Sequence, residues 1–160
     1  LEGELALMDS GADAIVFRTS WVYGVRGRNF LLSMLRLFRE KDELKVVNDQ
    51  IGVPTWSRML AEVTSQVLYR VLTGDLDLEQ VKGLYHVTGR GQTNWFDFAG
   101  AILEASGSSC NLVPIPSSKY RSPARRPAYS VLDNTKLWER FGIALPQWEV
   151  SLRQCLEDLR

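Results

Sequence analysis

The stretch AIVFRTSWVYG, residues 14–24, decides the fold of this 160-residue chain. Its first four residues form a short continuous apolar run, which predicts a strand buried on both faces, as in a parallel sheet. A polar and aromatic loop follows, with glycines at positions 24 and 27. Because ligands of open α/β sheets lie beyond the carboxyl ends of the strands, residues 19–23 are the first candidate site.

Strands and helices alternate through the rest of the chain. Further strands are predicted at residues 44–47, 83–87 and 112–115, and helices at residues 30–39, 57–72, 93–103, 134–141 and 148–159. Gly52 and Pro54 exclude a regular helix from residues 51–55. The alternation indicates the α/β class, although three or four strands make only part of a sheet.

The composition excludes several classes of protein. Lysine plus arginine equals aspartate plus glutamate at 19 each, so no bulk charge favours nucleic acid or a membrane surface. No apolar run approaches the roughly 20 residues of a membrane span, and no signal-peptide pattern opens the chain. Cys110, Cys155 and the single histidine, His86, lack metal-ligand spacing. We therefore expect a reduced cytoplasmic protein without a structural zinc ion.

The first residues, LEGELALM, have helical character and no initiator methionine. Leu1, Leu5 and Met8 recur at helical spacing, which predicts the end of an amphipathic helix. A start that lies inside a longer sequence is therefore expected.

Four segments in order along the chain carry a family resemblance. They are RTSWVYG (18–24), NDQIGVPTW (48–56), GLYHVTG (83–89) with NWFDFAGAI (94–102), and PARRPAYSVLDNTKL (123–137). Together they resemble the dTDP-4-dehydrorhamnose reductases, a family of extended short-chain dehydrogenases. The resemblance implies the last strands of a Rossmann-like parallel sheet plus a smaller substrate-binding α/β lobe. Residues 1–160 are then a single C-terminal fragment.

The resemblance implies NAD(P)H-dependent reduction of dTDP-4-dehydro-rhamnose to dTDP-rhamnose. Members carry a Tyr-x-x-x-Lys catalytic pair, and a sequence similar to residues 1–4 follows the Lys, which implies that the Lys immediately precedes this chain. The chain itself contains neither Tyr-x-x-x-Lys nor Gly-x-Gly-x-x-Gly. We expect no catalytic residue in it, no activity from it alone, no bound cofactor, and NADPH or NADH in the longer protein.

The resemblance also implies site residues. It assigns Trp21 to the sugar nucleotide, where an indole offers a flat apolar face and one N–H donor. Further candidates for the substrate are Asn29, Phe30, Gln50, Pro54 and Thr55, and candidates for the cofactor are Thr19 and Ser20. Asn29 serves equally well as a helix cap, and the loop of Gln50 could simply satisfy its own backbone.

Charged residues give two further expectations. Arg125 and Arg126 lie in a proline-bearing basic stretch, and the resemblance points to Arg126 as the partner of a diphosphate, although a solvated cluster is the alternative. Some members dimerise around Mg²⁺ held by glutamates. Glu149 looks like one such ligand, but Arg58 stands where another acidic residue is found, and we predict no metal site.

Two other functions remain open on sequence alone. The regulatory subunit of methionine adenosyltransferase is similar to these reductases and binds a partner enzyme, and sugar-nucleotide epimerases and dehydratases share the scaffold. A dTDP-sugar is the expected ligand, with neither nucleic acid nor membrane as a partner. Because the predicted sheet is incomplete, self-association through the strand at residues 14–17 is also expected.

Overall fold

The computed structural model describes residues 1–120, 124 and 126–159. The helices are α1 (Glu2–Asp9), α2 (Phe30–Glu40), α3 (Ser57–Leu72), α4 (Leu78–Val81), α5 (Trp95–Ser106), α6 (Thr135–Phe141) and α7 (Trp148–Glu157). The strands are β1 (Ile15–Arg18), β2 (Val22–Tyr23), β3 (Glu43–Val47), β4 (Ile51–Gly52), β5 (Thr55–Trp56), β6 (Gly83–His86), β7 (Thr93–Asn94) and β8 (Asn111–Ile115).

Four two-stranded ladders organise the part of the chain that the structure describes. β1 pairs in parallel with β6, β2 with β5, and β3 with β8, whereas β4 and β7 are antiparallel. Parallel pairs separated by helices confirm the predicted α/β class.

Local sequence explains the helices that border the site. Helix α2 begins where the Leu32 backbone N–H donates to Asn29 Oδ1 at 3.1 Å, and it buries Leu31, Met34 and Phe38 at helical spacing. Helix α5 begins two residues later than predicted. Its preceding residues extend as β7, and Asn94 Oδ1 then accepts from the Asp97 N–H at 2.8 Å.

Among the described residues, the buried apolar side chains form two adjoining hydrophobic cores. One lies among α2, α5, α7 and β3 and includes Tyr23, Phe98 and Trp148. The other lies among α3, α6 and β6, and Met59 packs against both cores.

Two packing predictions need correction. Residues 14–17 are only partly buried, because Ile15 and Phe17 pack against a hydrophobic core while Val16, on the opposite face, belongs to neither core. β1 also pairs with β6 along one edge, and no described strand pairs with its other edge. Helical or helix-entry positions predict that Trp56, Trp95, Trp138 and Trp148 are packing residues. Trp138 is instead 58% exposed, whereas Trp56 and Trp148 are buried as predicted. Within the described residues, no helix is both long and apolar enough to cross a membrane.

Candidate binding cleft

A cleft of about 890 Å³ opens beside α2 and β3. A smaller compartment of about 320 Å³ adjoins it. Both volumes fall within the roughly 300–1,000 Å³ of typical ligand sites. Four residues line both compartments and so mark the boundary between them: Trp21, Gln50, Trp95 and Arg126.

The larger compartment combines apolar walls with positive charge. Arg36, Lys45 and Arg126 line it beside apolar side chains of α2 and β3, and none of its described lining residues is a carboxylate. Arg36 pairs with Glu40, Nη1 to Oε2, at 3.2 Å. No described residue forms an ion pair or side-chain hydrogen bond with Lys45 or Arg126, so both cations are available to an anionic ligand.

Two indoles form the boundary wall. The rings of Trp21 and Trp95 stack with centroids 3.6 Å apart and planes 9° from parallel. Phe30 contacts the second indole, with centroids 4.7 Å apart and an angle of 47°. Trp21 has a φ of 47°, the left-handed region that a bulky side chain rarely adopts.

Gly52 lies against the other face of the Trp21 ring. A Cβ on Gly52 would stand 2.6 Å from Trp21 Nε1, well inside contact distance. Since a ring stacked at 3.6 Å leaves no room for backbone on the same side, Gly52 and Trp95 cover opposite faces. The flat surface that the sequence suggested for ligand contact is therefore occupied on both sides, and the ring edge remains.

Ser20 and Gln50 complete the smaller compartment. Ser20 Oγ is buried and has no hydrogen-bond partner among the described residues, and Ser20 lines the smaller compartment but not the larger one. A buried hydroxyl without a partner is costly, so this atom suits a ligand that supplies one.

Comparison with known proteins decides the family. Residues 1–160 match the family described as the RmlD substrate binding domain. The chain belongs to this family. A dTDP-4-dehydrorhamnose reductase of Burkholderia thailandensis is 46% identical over 99% of the chain and 56% of its own length. The chain thus spans about half the length of the curated relatives it matches.

Solved structures agree with this family. A dTDP-4-dehydrorhamnose reductase from Clostridium acetobutylicum is 36% identical and covers 91% of the chain and 48% of its own, with a TM-score of 0.79. One from Bacillus anthracis, in complex with NADP, is 32% identical over 90% of this chain and 48% of its own, with a TM-score of 0.81. These similarities support the prediction that the chain has the fold of the C-terminal part of a short-chain dehydrogenase.

The RmlD substrate-binding domain brings only some of the predicted residues to its cleft. Trp21, Phe30, Gln50 and Arg126 line the larger compartment, and Ser20 lines the smaller one. Arg121 and Arg125 lie outside the described residues.

The four remaining candidates lie outside the described lining of the cleft. Asn29 Nδ2 donates to the carbonyl oxygens of Gly24 at 2.9 Å and Arg26 at 3.1 Å while its Oδ1 caps α2. Thr55 is 1% exposed, and its Oγ1 accepts from the Gly89 N–H at 3.3 Å. Pro54 is fully buried. Thr19 is exposed, and none of these four is among the described lining residues.

Sequence reasoning missed several polar and aromatic residues that line the cleft of the RmlD substrate-binding domain. Arg36, Lys45 and Ser33 line the larger compartment, and Trp95, interpreted as a packing residue, lines both. One signal was available, because Ser33 interrupts the apolar positions 30, 34 and 37 of a single α2 face. Local spacing in the sequence does not predict that Lys45 lines the cleft or that Trp95 stacks on Trp21.

Arg58 and Glu149 occupy the two positions that were compared with the Mg²⁺ ligands of some family members. Arg58 pairs with Asp158 at 2.8 Å and with Glu62 at 3.2 Å, and its guanidinium lies over the Trp56 ring. Glu149 is exposed at the start of α7. Across the described part of the chain, no three acidic, histidine or cysteine side chains cluster as a metal site would require.

The other reactive side chains lie away from the cleft. His86 Nδ1 is 3.1 Å from the carbonyl oxygen of Asp133, on a partly exposed strand position. Cys110 and Cys155 are free and buried, and burial raises the pKa of the Cys155 thiol to about 12. A thiol that remains protonated at neutral pH is a poor nucleophile.

Proposed function

We propose that this chain is the substrate-binding portion of an NAD(P)H-dependent reductase that converts dTDP-4-dehydro-rhamnose to dTDP-rhamnose. One observation carries the proposal. A two-compartment cleft has Arg126 at its boundary and no described carboxylate in the larger compartment, within a family that binds this reductase's substrate.

The larger compartment suits the nucleoside and its diphosphate. Its apolar wall can cover a thymine ring and deoxyribose, while Arg126 and Lys45 can neutralise the phosphates. Arginine offers planar bidentate donors, which match phosphate oxygens better than an ammonium group does. Arg126 is therefore the proposed diphosphate residue.

The smaller compartment suits the sugar. Its polar lining includes Ser20, Gln50 and Ser130, and the Gln50 amide can both donate and accept hydrogen bonds. The unpartnered Ser20 Oγ fits a polar group of the sugar or of the nicotinamide. In this arrangement the chain binds the nucleotide, orients the sugar and excludes water from it.

Reduction needs groups that this chain does not supply. When bound, the reduced nicotinamide, from NADPH or NADH, provides the hydride for the sugar ketone. We propose that the Tyr-x-x-x-Lys pair and the glycine-rich turn belong to a preceding nucleotide-binding half, consistent with relatives about twice as long. The chain alone then binds substrate without reducing it, in the cytoplasm.

Calorimetric titration of dTDP into the chain tests the binding role. Wild type should bind dTDP, and Arg126→Ala should bind roughly 10- to 100-fold more weakly, as expected for one charge-assisted hydrogen bond. Arg153→Ala, an exposed arginine of α7 outside the cleft, is the matched control. Failure of the wild type to bind dTDP, or equal affinities for the two variants, would contradict the proposal.

A further inference from the structure

Trp95 is held in place by the backbone around it. The residue opens α5, directly after β7, whose Thr93 and Asn94 pair with Gly52 and Ile51 of β4. The same ladder therefore positions both neighbours of the Trp21 ring, Gly52 on one face and Trp95 on the other.

The stack continues into the core. Phe30 lies against Trp95, and the Phe30 and Phe98 rings are 5.4 Å apart at 18°. Phe98 is fully buried and contacts the core residues Tyr23 and Trp148. Trp95 is thus fixed to a rigid part of the lobe, as a supporting residue for a binding group needs to be.

Trp21 depends on that support. Its backbone occupies the left-handed region, which costs a non-glycine residue free energy and persists only where the surroundings impose it. No described residue accepts a hydrogen bond from its indole N–H. Stacking by Trp95 and contact with Gly52 are therefore what determine the direction of the ring.

We propose that Trp95 is a positioning residue and a determinant of sugar specificity, because it holds Trp21 edge-on to the ligand. An indole edge presents an N–H donor to a sugar oxygen, whereas an exposed face would accept any apolar surface. This inference rests on the proposed function, since it requires a sugar nucleotide in the cleft.

A double-mutant cycle separates this role from simple packing. Affinities for dTDP and dTDP-rhamnose are measured by calorimetry for wild type, Trp21→Leu, Trp95→Leu and the double variant. In each single variant, the ratio of the affinity for dTDP-rhamnose to the affinity for dTDP should fall roughly tenfold. In the double variant this ratio should fall no further than in either single variant. Additive losses would mean that Trp95 acts independently of Trp21 and would overturn the inference.

A spectroscopic readout accompanies the cycle. Two indoles stacked at 3.6 Å couple their electronic transitions, so wild type should show an exciton couplet in its far-ultraviolet circular dichroism. Trp95→Leu and Trp21→Leu should each abolish the couplet, while Trp138→Leu, at an exposed site on α6, should keep both couplet and affinity. A couplet that survives Trp95→Leu contradicts the stack.

Gly52→Ala keeps the inference testable if Trp95→Leu does not fold. Its Cβ would press on the Trp21 ring while leaving Trp95 intact. In Gly52→Ala, the preference for dTDP-rhamnose over dTDP and the amplitude of the exciton couplet should both decrease, while the affinity for dTDP is retained. An unchanged preference alongside an altered couplet refutes the positioning role, whereas absence of dTDP binding by the wild type refutes the proposed function instead.

Discussion

Two loops of this chain follow strands of the parallel ladders and yet contribute differently to the cleft. The loop after β1 sends Ser20 and Trp21 into it, whereas the loop after β3 sends only Gln50. The second loop continues into β4, which pairs with β7, and into β5, which pairs with β2 at the end of the first loop; Thr55 of β5 is buried. Position after a strand thus predicts where a loop lies, while backbone pairing decides which side chains reach a ligand.

The largest effect is expected from the first loop. In the proposed longer reductase, Trp21→Ala should lower kcat/KM by about tenfold or more, because the sugar loses a directed hydrogen bond and its orientation. Steady-state kinetics with dTDP-4-dehydro-rhamnose measures this, with Trp138→Ala as the exposed control. Unaltered kinetics would remove Trp21 from the site.

A stability effect is expected from the second loop. Thr55→Val keeps the side-chain shape but removes the acceptor of the buried Gly89 N–H, so the free energy of unfolding should fall by about 1–3 kcal/mol. Urea denaturation gives this value, and dTDP affinity should stay unchanged. A large loss of affinity in a folded Thr55→Val protein would erase the difference between the two loops.

The cap of α2 gives a smaller change. Asn29→Ala should lower the free energy of unfolding by about 1 kcal/mol, since the Leu32 N–H loses its acceptor. Asn29→Asp preserves that acceptor and should recover part of the loss. If Asn29→Asp instead weakens dTDP binding sharply while stability is kept, Asn29 contacts the ligand as well as the helix.

The smallest change is expected on β3. Lys45→Met should weaken dTDP binding by about two- to fivefold, because a single exposed cation contributes little in water. Raising the salt concentration should narrow the difference between Lys45→Met and wild type. A loss as large as that of Arg126→Ala would instead identify Lys45 as a principal phosphate contact.

Apolar spacing and capping residues in the sequence predicted those helices and strands whose formation depends mainly on neighbouring residues. The apolar spacing of α2 and α3 and the cap at Asn29 gave helices whose ends agree with the structure within about one residue. The strand at residues 14–17 and the loop carrying Trp21 also followed from local pattern. A resemblance over the whole chain added Arg126, which local pattern alone left as a possible surface charge.

The cleft residues that the sequence did not predict depend on contacts between segments far apart in the chain. Trp95 reaches Trp21 only because β7 pairs with β4, about 40 residues apart along the chain. Arg36 and Lys45 line the same cleft because α5 packs against both α2 and β3. The exposure of Trp138 was not predicted, because an aromatic residue at helical spacing usually indicates a buried helix face. Helix α6 is too short for its apolar spacing to show which face is buried.

The open edge of β1 has a consequence for the rate at which backbone amides exchange with water. The carbonyl oxygens of Ala14 and Arg18 accept from β6 and the residue after it, at 2.8 Å each, so the backbone groups of Ile15 and Phe17 point to the edge without a described strand. Their amide hydrogens should exchange quickly, and that of Val16 slowly. Any strand that extends the sheet, from a second copy or from a preceding half, would slow the first two, and hydrogen exchange would then register the extension residue by residue.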